Sequence, residues 1–190
     1  MDLKQKGKLF IISAPAGTGK TTLVNRLCSE LPYVKQSVSY TTRERRSNET
    51  DGEHYIFVDQ TVFHKKQSDQ EFLEWAKVFD HYYGTDERQI LDGQIKGFDM
   101  ILVIDVQGAL KVKEKMESTS IFISPPSLEE LEKRLLFRNT DSFESIHKRL
   151  KTAKEELKMA LSYDYHFIND DIEEAYDILR SIIIAEKHKN

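Results

Sequence analysis

The sequence predicts an α/β fold in which a parallel sheet is flanked by helices, with an inserted mixed α+β lobe and a helical lid. Short apolar runs alternate with segments of helical spacing, as in parallel sheets buried on both faces. The runs are Leu9 to Ile12, Met100 to Ile104, Ile121 to Ile123 and His166 to Ile168. Two stretches break this alternation, so we expect a core of residues 1–36, 91–127 and 152–190, a lobe at 37–90 and a lid at 128–151.

The first strand leads into a glycine-rich turn, SAPAGTGKTT, and then into a helix with Leu23 and Leu27 at helical spacing. Backbone N–H groups at such a turn converge on anionic oxygens at the positive end of the helix. We therefore predict a phosphate-binding P-loop, and an ordinary glycine-rich turn is the disfavoured alternative. In it Lys20 supplies a cation and the Thr21 hydroxyl a ligand for Mg²⁺. The residues of this predicted loop are Ala14, Pro15, Ala16, Gly17, Thr18, Gly19, Lys20, Thr21 and Thr22.

The predicted lobe has alternating polarity over Ser37 to Thr42 and over His54 to Val58, which indicates half-buried antiparallel strands. The aromatic residues that follow, Phe63, Phe72 and Trp75, suggest a covering helix. Three arginines lie between Thr42 and Ser47, and guanidinium groups bind phosphate in bidentate fashion. Taken alone, this arginine loop is as consistent with a solvated charged loop as with a second anion site.

The predicted lid begins after two prolines, where Ser127 and Glu130 form a capping-box pair. A polar break at Asn139 to Ser142 separates its two helical patterns, so we expect two helices and a hinge. The C-terminal helix is expected to begin near Asn169 to Asp171. Its apolar face holds Ile172, Ala175, Tyr176, Leu179 and Ile183.

Composition excludes several classes of protein. The chain has 190 residues and a formal charge of -4, which argues against general nucleic-acid binding. Its apolar runs are too short to cross a membrane or to form a signal-peptide core, so we expect a cytoplasmic protein. The single cysteine, Cys28, is interpreted as a packed thiol, and the six histidines lack metal-site spacing. We expect a monomer or a small homo-oligomer, with no nucleic-acid or membrane partner.

From about Leu9 to Lys187 the chain resembles the guanylate kinase family, nucleoside monophosphate kinases that transfer phosphate from ATP to GMP. Taken together and in this order, the matching motifs are specific. They are Ser13 to Thr21, SVSYTTR from Ser37, GEHY from Gly52, EFLEWA from Glu71, YYGT from Tyr82, IDVQG from Ile104 and NDD from Asn169. The resemblance implies a P-loop core, a GMP-binding lobe at 37–90, ATP as co-substrate and Mg²⁺.

The resemblance also implies roles for individual residues. The GMP phosphate is expected at Arg43, Arg46, Tyr55 and Tyr83. Guanine is expected at Ser39, Glu74 and Thr85. Asp105 lies between the nucleotides in such proteins and is expected to bind GMP. ATP is expected at the loop residues 14–22 and at Asn169. Lid arginines are expected to close over the triphosphate. The expected catalytic residues are Lys20, Arg43, Arg134, Arg138 and Arg149.

The chemistry of a carboxylate independently supports a role for Glu74 in guanine recognition, because it can accept hydrogen bonds from both N1–H and N2–H₂ of guanine. Adenine lacks that pair of donors, so a buried carboxylate facing it would stay partly unsatisfied.

Three positions depart from the family pattern. Arg45 replaces the usual proline, Phe137 and Asn139 replace glycines around Arg138, and Val103 replaces an acid near Asp105.

Two alternatives remain at this stage. One is a related kinase for another small phosphorylated acceptor, which Glu74, Ser39 and Thr85 disfavour. The other is a non-catalytic guanylate-kinase-like module that binds phosphopeptides. Such modules have typically lost the phosphate loop, whereas this chain keeps Lys20 and Thr21.

Overall fold

The computed structural model describes residues 6–78, 80–137 and 143–189. The strands are β1 (Leu9–Ser13), β2 (Val34–Gln36), β3 (Tyr40–Thr41), β4 (Ile56–Phe57), β5 (Phe72–Val78), β6 (His81–Asp86), β7 (Asp99–Val103), β8 (Thr119–Ser124) and β9 (Tyr165–Ile168). The helices are α1 (Lys20–Glu30), α2 (Gln60–Ser68), α3 (Glu87–Ile95), α4 (Val106–Lys115), α5 (Leu128–Phe137), α6 (Phe143–Lys158) and α7 (Ile172–Lys187). A 3₁₀ turn spans Ala160–Ser162.

The larger sheet is five-stranded, in the order β2-β7-β1-β8-β9, and all its pairings are parallel. This confirms the predicted α/β core. Alternate residues of β1 enter two different apolar clusters, Phe10 with α1 and α7 and Ile11 with α3 and α4. Because successive side chains of a strand point to opposite faces, helices cover both faces of the sheet. Ile12 pairs with Val103, so the loops that follow β1 and β7 meet at one edge.

The smaller sheet has the order β4-β3-β6-β5 and lies within the predicted lobe. Phe63 is in a helix, α2, as expected, but the prediction that Phe72 and Trp75 share a covering helix is wrong, because both lie in β5. Phe72, Leu73 and Glu74 are all buried, so β5 lacks the alternation that identifies a half-exposed strand. Phe63 packs on Phe72 at 4.7 Å between ring centroids, so α2 covers this sheet.

The first two strands of the lobe are shorter than predicted. Only Tyr40–Thr41 and Ile56–Phe57 are strand residues, and these two strands pair in parallel rather than antiparallel. The antiparallel pairings are those of β6 with β3 and with β5. The long loop between β3 and β4, rather than a hairpin turn, joins the parallel pair, and it carries the arginines.

The helices α5 and α6 pack against each other through Leu131, Leu135, Ile146 and Ala153. The predicted start of α5 is confirmed, since the Glu130 N–H donates to Ser127 Oγ at 3.1 Å. Residues 138–142, which include the predicted hinge, lie outside the described residues. α6 continues to Lys158, beyond the predicted lid boundary at 151.

The buried carboxylate of Asp99 joins the N-terminal segment and α7 to the sheet. Asp99 is 1% exposed, and it accepts hydrogen bonds from Lys8 N–H at 2.9 Å and from Lys187 Nζ at 3.0 Å. We expect Asp99→Ala to lower the free energy of unfolding by about 2 kcal/mol, because the partly buried Lys8 N–H and Lys187 Nζ both lose their acceptor. Urea unfolding would measure this. Asp177→Ala, on the exposed side of α7, is the control, and equal midpoints for the two variants would refute the assignment.

Candidate active site

The turn between β1 and α1 has the backbone of a phosphate-binding loop. Gly17 and Gly19 have φ of 98° and 93°, a region that favours glycine. Thr18 N–H donates to Pro15 O at 3.2 Å, and α1 begins at Lys20. The loop therefore presents the positive end of α1 at the carboxyl edge of the parallel sheet, where anionic ligands bind.

Lys20 lies among acidic groups beneath this loop. Its Nζ donates to Ala14 O at 3.3 Å. Burial lowers the pKa of Lys20, and the nearby carboxylates of Glu156 and Asp105 oppose that effect. Burial in turn raises the pKa of Glu156, and although the Lys20 cation opposes this effect, the resulting pKa is about 7. The loop cation thus has two carboxylate neighbours, from α6 and from the end of β7.

Sequence reasoning missed Glu156. A signal was present, because Glu156 follows Arg149 by seven residues, which is two helical turns. The two side chains therefore lie on one flank of α6. Because the charges of Glu156 and Lys20 interact, this flank of α6 lies near the phosphate loop. Arg149 lies on the same flank, about 10 Å from Glu156 along the helix axis.

The arginine loop forms a compact charged cluster in the lobe. Arg43 donates to Glu49 Oε1 at 2.7 Å, and the Arg46 backbone N–H donates to Glu49 Oε2 at 2.9 Å. The Arg43 guanidinium lies 5.5 Å from the centroid of the Tyr55 ring, which packs edge-on against Tyr83 at 5.9 Å. Arg43, Tyr55 and Tyr83, three of the predicted phosphate ligands, are thus brought together. Arg46, the fourth, is exposed. Glu49, which fixes the loop, was not predicted.

Glu74 and Thr85 face each other across the β5–β6 ladder. Thr85 Oγ1 donates to Glu74 Oε1 at 2.6 Å, and the two residues are 0% and 4% exposed, in that order. Burial raises the pKa of Glu74 to about 7, and the nearby Asp105 carboxylate adds to the effect. A buried carboxylate with remaining acceptor capacity is suited to binding paired N–H donors. Ser39 is half-buried just before β3, and its carbonyl accepts from Ile56 N–H at 2.9 Å.

Asp105 lies near both the loop cation and the buried carboxylate. It caps α4 by accepting from Gly108 N–H at 2.8 Å. Its charge acts on Lys20 and on Glu74. Its expected position between two nucleotides stays a prediction.

The lid helix α5 rests directly on the phosphate loop. A Cβ built on Gly17 would lie 3.0 Å from Leu135 Cδ2 and 3.2 Å from Leu131 Cδ1. Arg134 donates to Asn169 O at 3.0 Å, and the Asn169 side chain donates to Thr18 O at 2.6 Å. Asn169 thus joins the lid to the loop.

Of the other two predicted lid arginines, Arg149 is half-buried on α6. Arg138 lies outside the described residues.

The Glu74 pKa has a consequence for stability. Its folded value of about 7 exceeds the ordinary 4.5, so between these values the folded chain binds the additional proton. Stability from this group is complete below about pH 4.5 and is lost as pH rises through about 7. The free energy of unfolding of Glu74→Gln minus that of the parent should increase by about 2 kcal/mol as the pH rises from about 5.5 to about 8. Urea unfolding at both pH values measures this, and a pH-independent difference would refute it.

The parallel sheet and its phosphate loop define the chain as a P-loop protein of the α/β class. Comparison with known proteins then narrows the class. A family model described as guanylate kinase matches residues 6–186. The chain belongs to the guanylate kinase family.

Individual relatives agree over nearly the whole chain. The guanylate kinase of Protochlamydia amoebophila is 52% identical over 185 residues, covering 97% of this chain and 94% of the relative. That of Caldanaerobacter subterraneus subsp. tengcongensis is 48% identical, covering 98% and 91%. A crystal structure of guanylate kinase from Anaplasma phagocytophilum has a TM-score of 0.83 and 38% identity, covering 99% of this chain and 90% of that one.

No helix in the described residues is long and apolar enough to span a membrane.

Proposed function

We propose that this protein transfers the γ-phosphoryl group of ATP to GMP, giving ADP and GDP. The observation that carries the proposal is the arrangement around Asp105. Its charge acts on Lys20 of the phosphate loop, Ser13 at the start of that loop donates to the carbonyl of the neighbouring Ile104, and the Asp105 and Glu74 carboxylates both lie against Gly108. A donor at the loop and an acceptor in the lobe would bring their phosphates together over Asp105.

The phosphate loop has an additional feature that suits a polyphosphate. Thr18 Oγ1 is buried and makes no hydrogen bond to any residue that the structure describes. A buried hydroxyl of this kind is costly unless a partner satisfies it. Triphosphate oxygens in the loop would supply acceptors beside it.

Phosphoryl transfer requires alignment and charge neutralisation rather than covalent help from the protein. In our proposal Lys20 neutralises the transferring group from the donor side, and Arg43 orients the acceptor phosphate with Tyr55 and Tyr83. Arg134 and Arg149, carried by α5 and α6, complete the cationic lining, with Arg138 between them in the chain. Closure of these helices would exclude water, which otherwise competes as the acceptor.

The residues present fit Mg²⁺ held jointly with nucleotide phosphates. Thr21 is exposed at the second position of α1, and Asp105 supplies a carboxylate near the loop. The described residues contain no group of three or more His, Cys, Asp or Glu side chains able to hold a metal. Mg²⁺ commonly takes one or two protein oxygens and completes its shell with phosphates and water. When bound, it would neutralise phosphate charge.

A coupled assay of ADP release tests the proposal. ADP should appear with ATP, Mg²⁺ and GMP together, and it should fall to background when GMP is omitted. Parallel reactions with AMP and UMP should be slower by a factor of about 10⁴ in kcat/KM, because neither offers the paired donors of guanine. Preference for AMP or UMP would overturn the proposal, as would turnover independent of any acceptor.

A further inference from the structure

Gly108, in the first turn of α4, lies directly against the carboxylate of Glu74. A Cβ built on Gly108 would lie 2.7 Å from Glu74 Oε2 and 3.3 Å from Glu74 Cδ. The first distance is well inside van der Waals contact, so the carboxylate occupies space that any other residue at 108 would need. A glycine inside a helix lowers helix stability relative to alanine. Helix formation therefore gives no reason for glycine here, whereas the contact with Glu74 does.

The Glu74 carboxylate is held from the other side as well. Thr85 Oγ1 donates to its Oε1, opposite the oxygen that approaches Gly108. Only 4% of Glu74 is exposed, so the side chain is enclosed between β6 and α4. A shift away from residue 108 would therefore disturb the hydrogen bond to Thr85.

The backbone of Glu74 is also fixed to α4. Lys115 Nζ donates to the Leu73 carbonyl and Lys111 Nζ donates to the Trp75 carbonyl, one on each side of Glu74. These lysines are four residues apart and follow Gly108 on the same helix. Since β5 cannot readily move away from α4, a side chain at position 108 would displace the carboxylate itself.

We propose that Gly108 is a positioning residue for guanine recognition. Because Gly108 has no side chain, the Glu74 carboxylate can occupy the space between α4 and Thr85. The inference rests on the proposed function, since it assumes that Glu74 reads guanine. The displaced atom is the end of a flexible side chain, so the fold tolerates the substitution while the recognition geometry does not. The specificity of the acceptor site is thus set partly by a core helix outside the lobe.

The test is Gly108→Ala, with Glu114→Ala on the exposed face of the same helix as control. We expect KM for GMP to rise about 10- to 100-fold, because a misplacement near 1 Å has effects of that size. KM for ATP should stay within about twofold, since the atoms nearest a Cβ at position 108 belong to Glu74 and Asp105 and not to the phosphate loop. Tm should hold or rise, because alanine is the better helix former. The preference for GMP over IMP, which lacks the 2-amino group, should fall.

A second variant separates a steric effect on Glu74 from a general one. Glu74→Asp shortens the side chain, so the clash with Ala at 108 should be relieved. The rise in KM for GMP caused by Glu74→Asp should be several-fold smaller in the Gly108→Ala background than in the parent protein. Such non-additivity is expected of residues that contact each other.

Three outcomes would overturn the inference: an unchanged KM for GMP in Gly108→Ala, additive effects in the double variant, or a fall in Tm above about 4 °C, which would indicate a fold defect. Failure of the proposed function would look different. In that case the parent protein itself would show no GMP-dependent release of ADP, whatever residue stands at 108.

Discussion

Replacing Lys20 with alanine is expected to reduce kcat for GMP-dependent ADP release by at least about 10³-fold, because the loop loses the cation that we propose neutralises the transferring phosphoryl group. GMP affinity should stay largely unchanged, since the proposed acceptor ligands are in the lobe. Steady-state rates give the first quantity, and calorimetric titration with GMP gives the second.

The matched control is Lys65→Ala, which removes an exposed lysine of α2 and should leave both quantities unchanged. Normal turnover by Lys20→Ala would contradict the mechanism. A parallel loss of GMP affinity and turnover would also contradict it, because the variant would then be acting on the acceptor site or on the fold.

Replacing Glu74 with glutamine is expected to reduce kcat/KM for GMP by about 10²- to 10³-fold, mainly through KM. The amide keeps the shape of the side chain but turns one acceptor into a donor, which would face a guanine N–H. Leaving buried polar groups mismatched costs about 1–3 kcal/mol for each. KM for ATP should change little, since the phosphate loop is separate from the Glu74–Thr85 pair.

Glu114→Gln makes the same chemical change on the exposed face of α4 and serves as the control. Rates with GMP and AMP as acceptors measure the loss and the change in preference. If Glu74→Gln kept the parent KM for GMP, Glu74 would not be the residue that selects guanine, and the acceptor site would have to be assigned elsewhere.

The core of the fold could be predicted because its signals are local in the sequence. The apolar run before SAPAGTGKTT, the glycines and the helical leucines all belong to one strand–loop–helix unit. Ser127 and Glu130 likewise predict the start of α5, because a capping box needs only four adjacent positions. The structure confirms both.

The rest depended on contacts between distant parts of the chain. β5 is buried on both faces by α2 and α4, so its alternation is hidden and Phe72 and Trp75 were assigned to the wrong element. Glu156 interacts with Lys20 only because the fold brings α6 close to the end of the phosphate loop. The proposed role of Gly108, in α4, depends on the Glu74 carboxylate, which packs against it from β5 of the smaller sheet. β5 and Gly108 have no local sequence signature, and the spacing of Arg149 and Glu156 does not by itself show which element α6 contacts.

The most direct measurement is a crystal structure with ADP and GMP bound together. We expect the ADP phosphates in the loop beside Lys20, the GMP phosphate beside Arg43, and the two facing each other near Asp105. The Glu74 carboxylate should lie within hydrogen-bond distance, about 3 Å, of both guanine N1 and N2. Phosphates pointing apart, or guanine bound away from Glu74, would refute the central proposal that these two sites form one phosphotransfer centre.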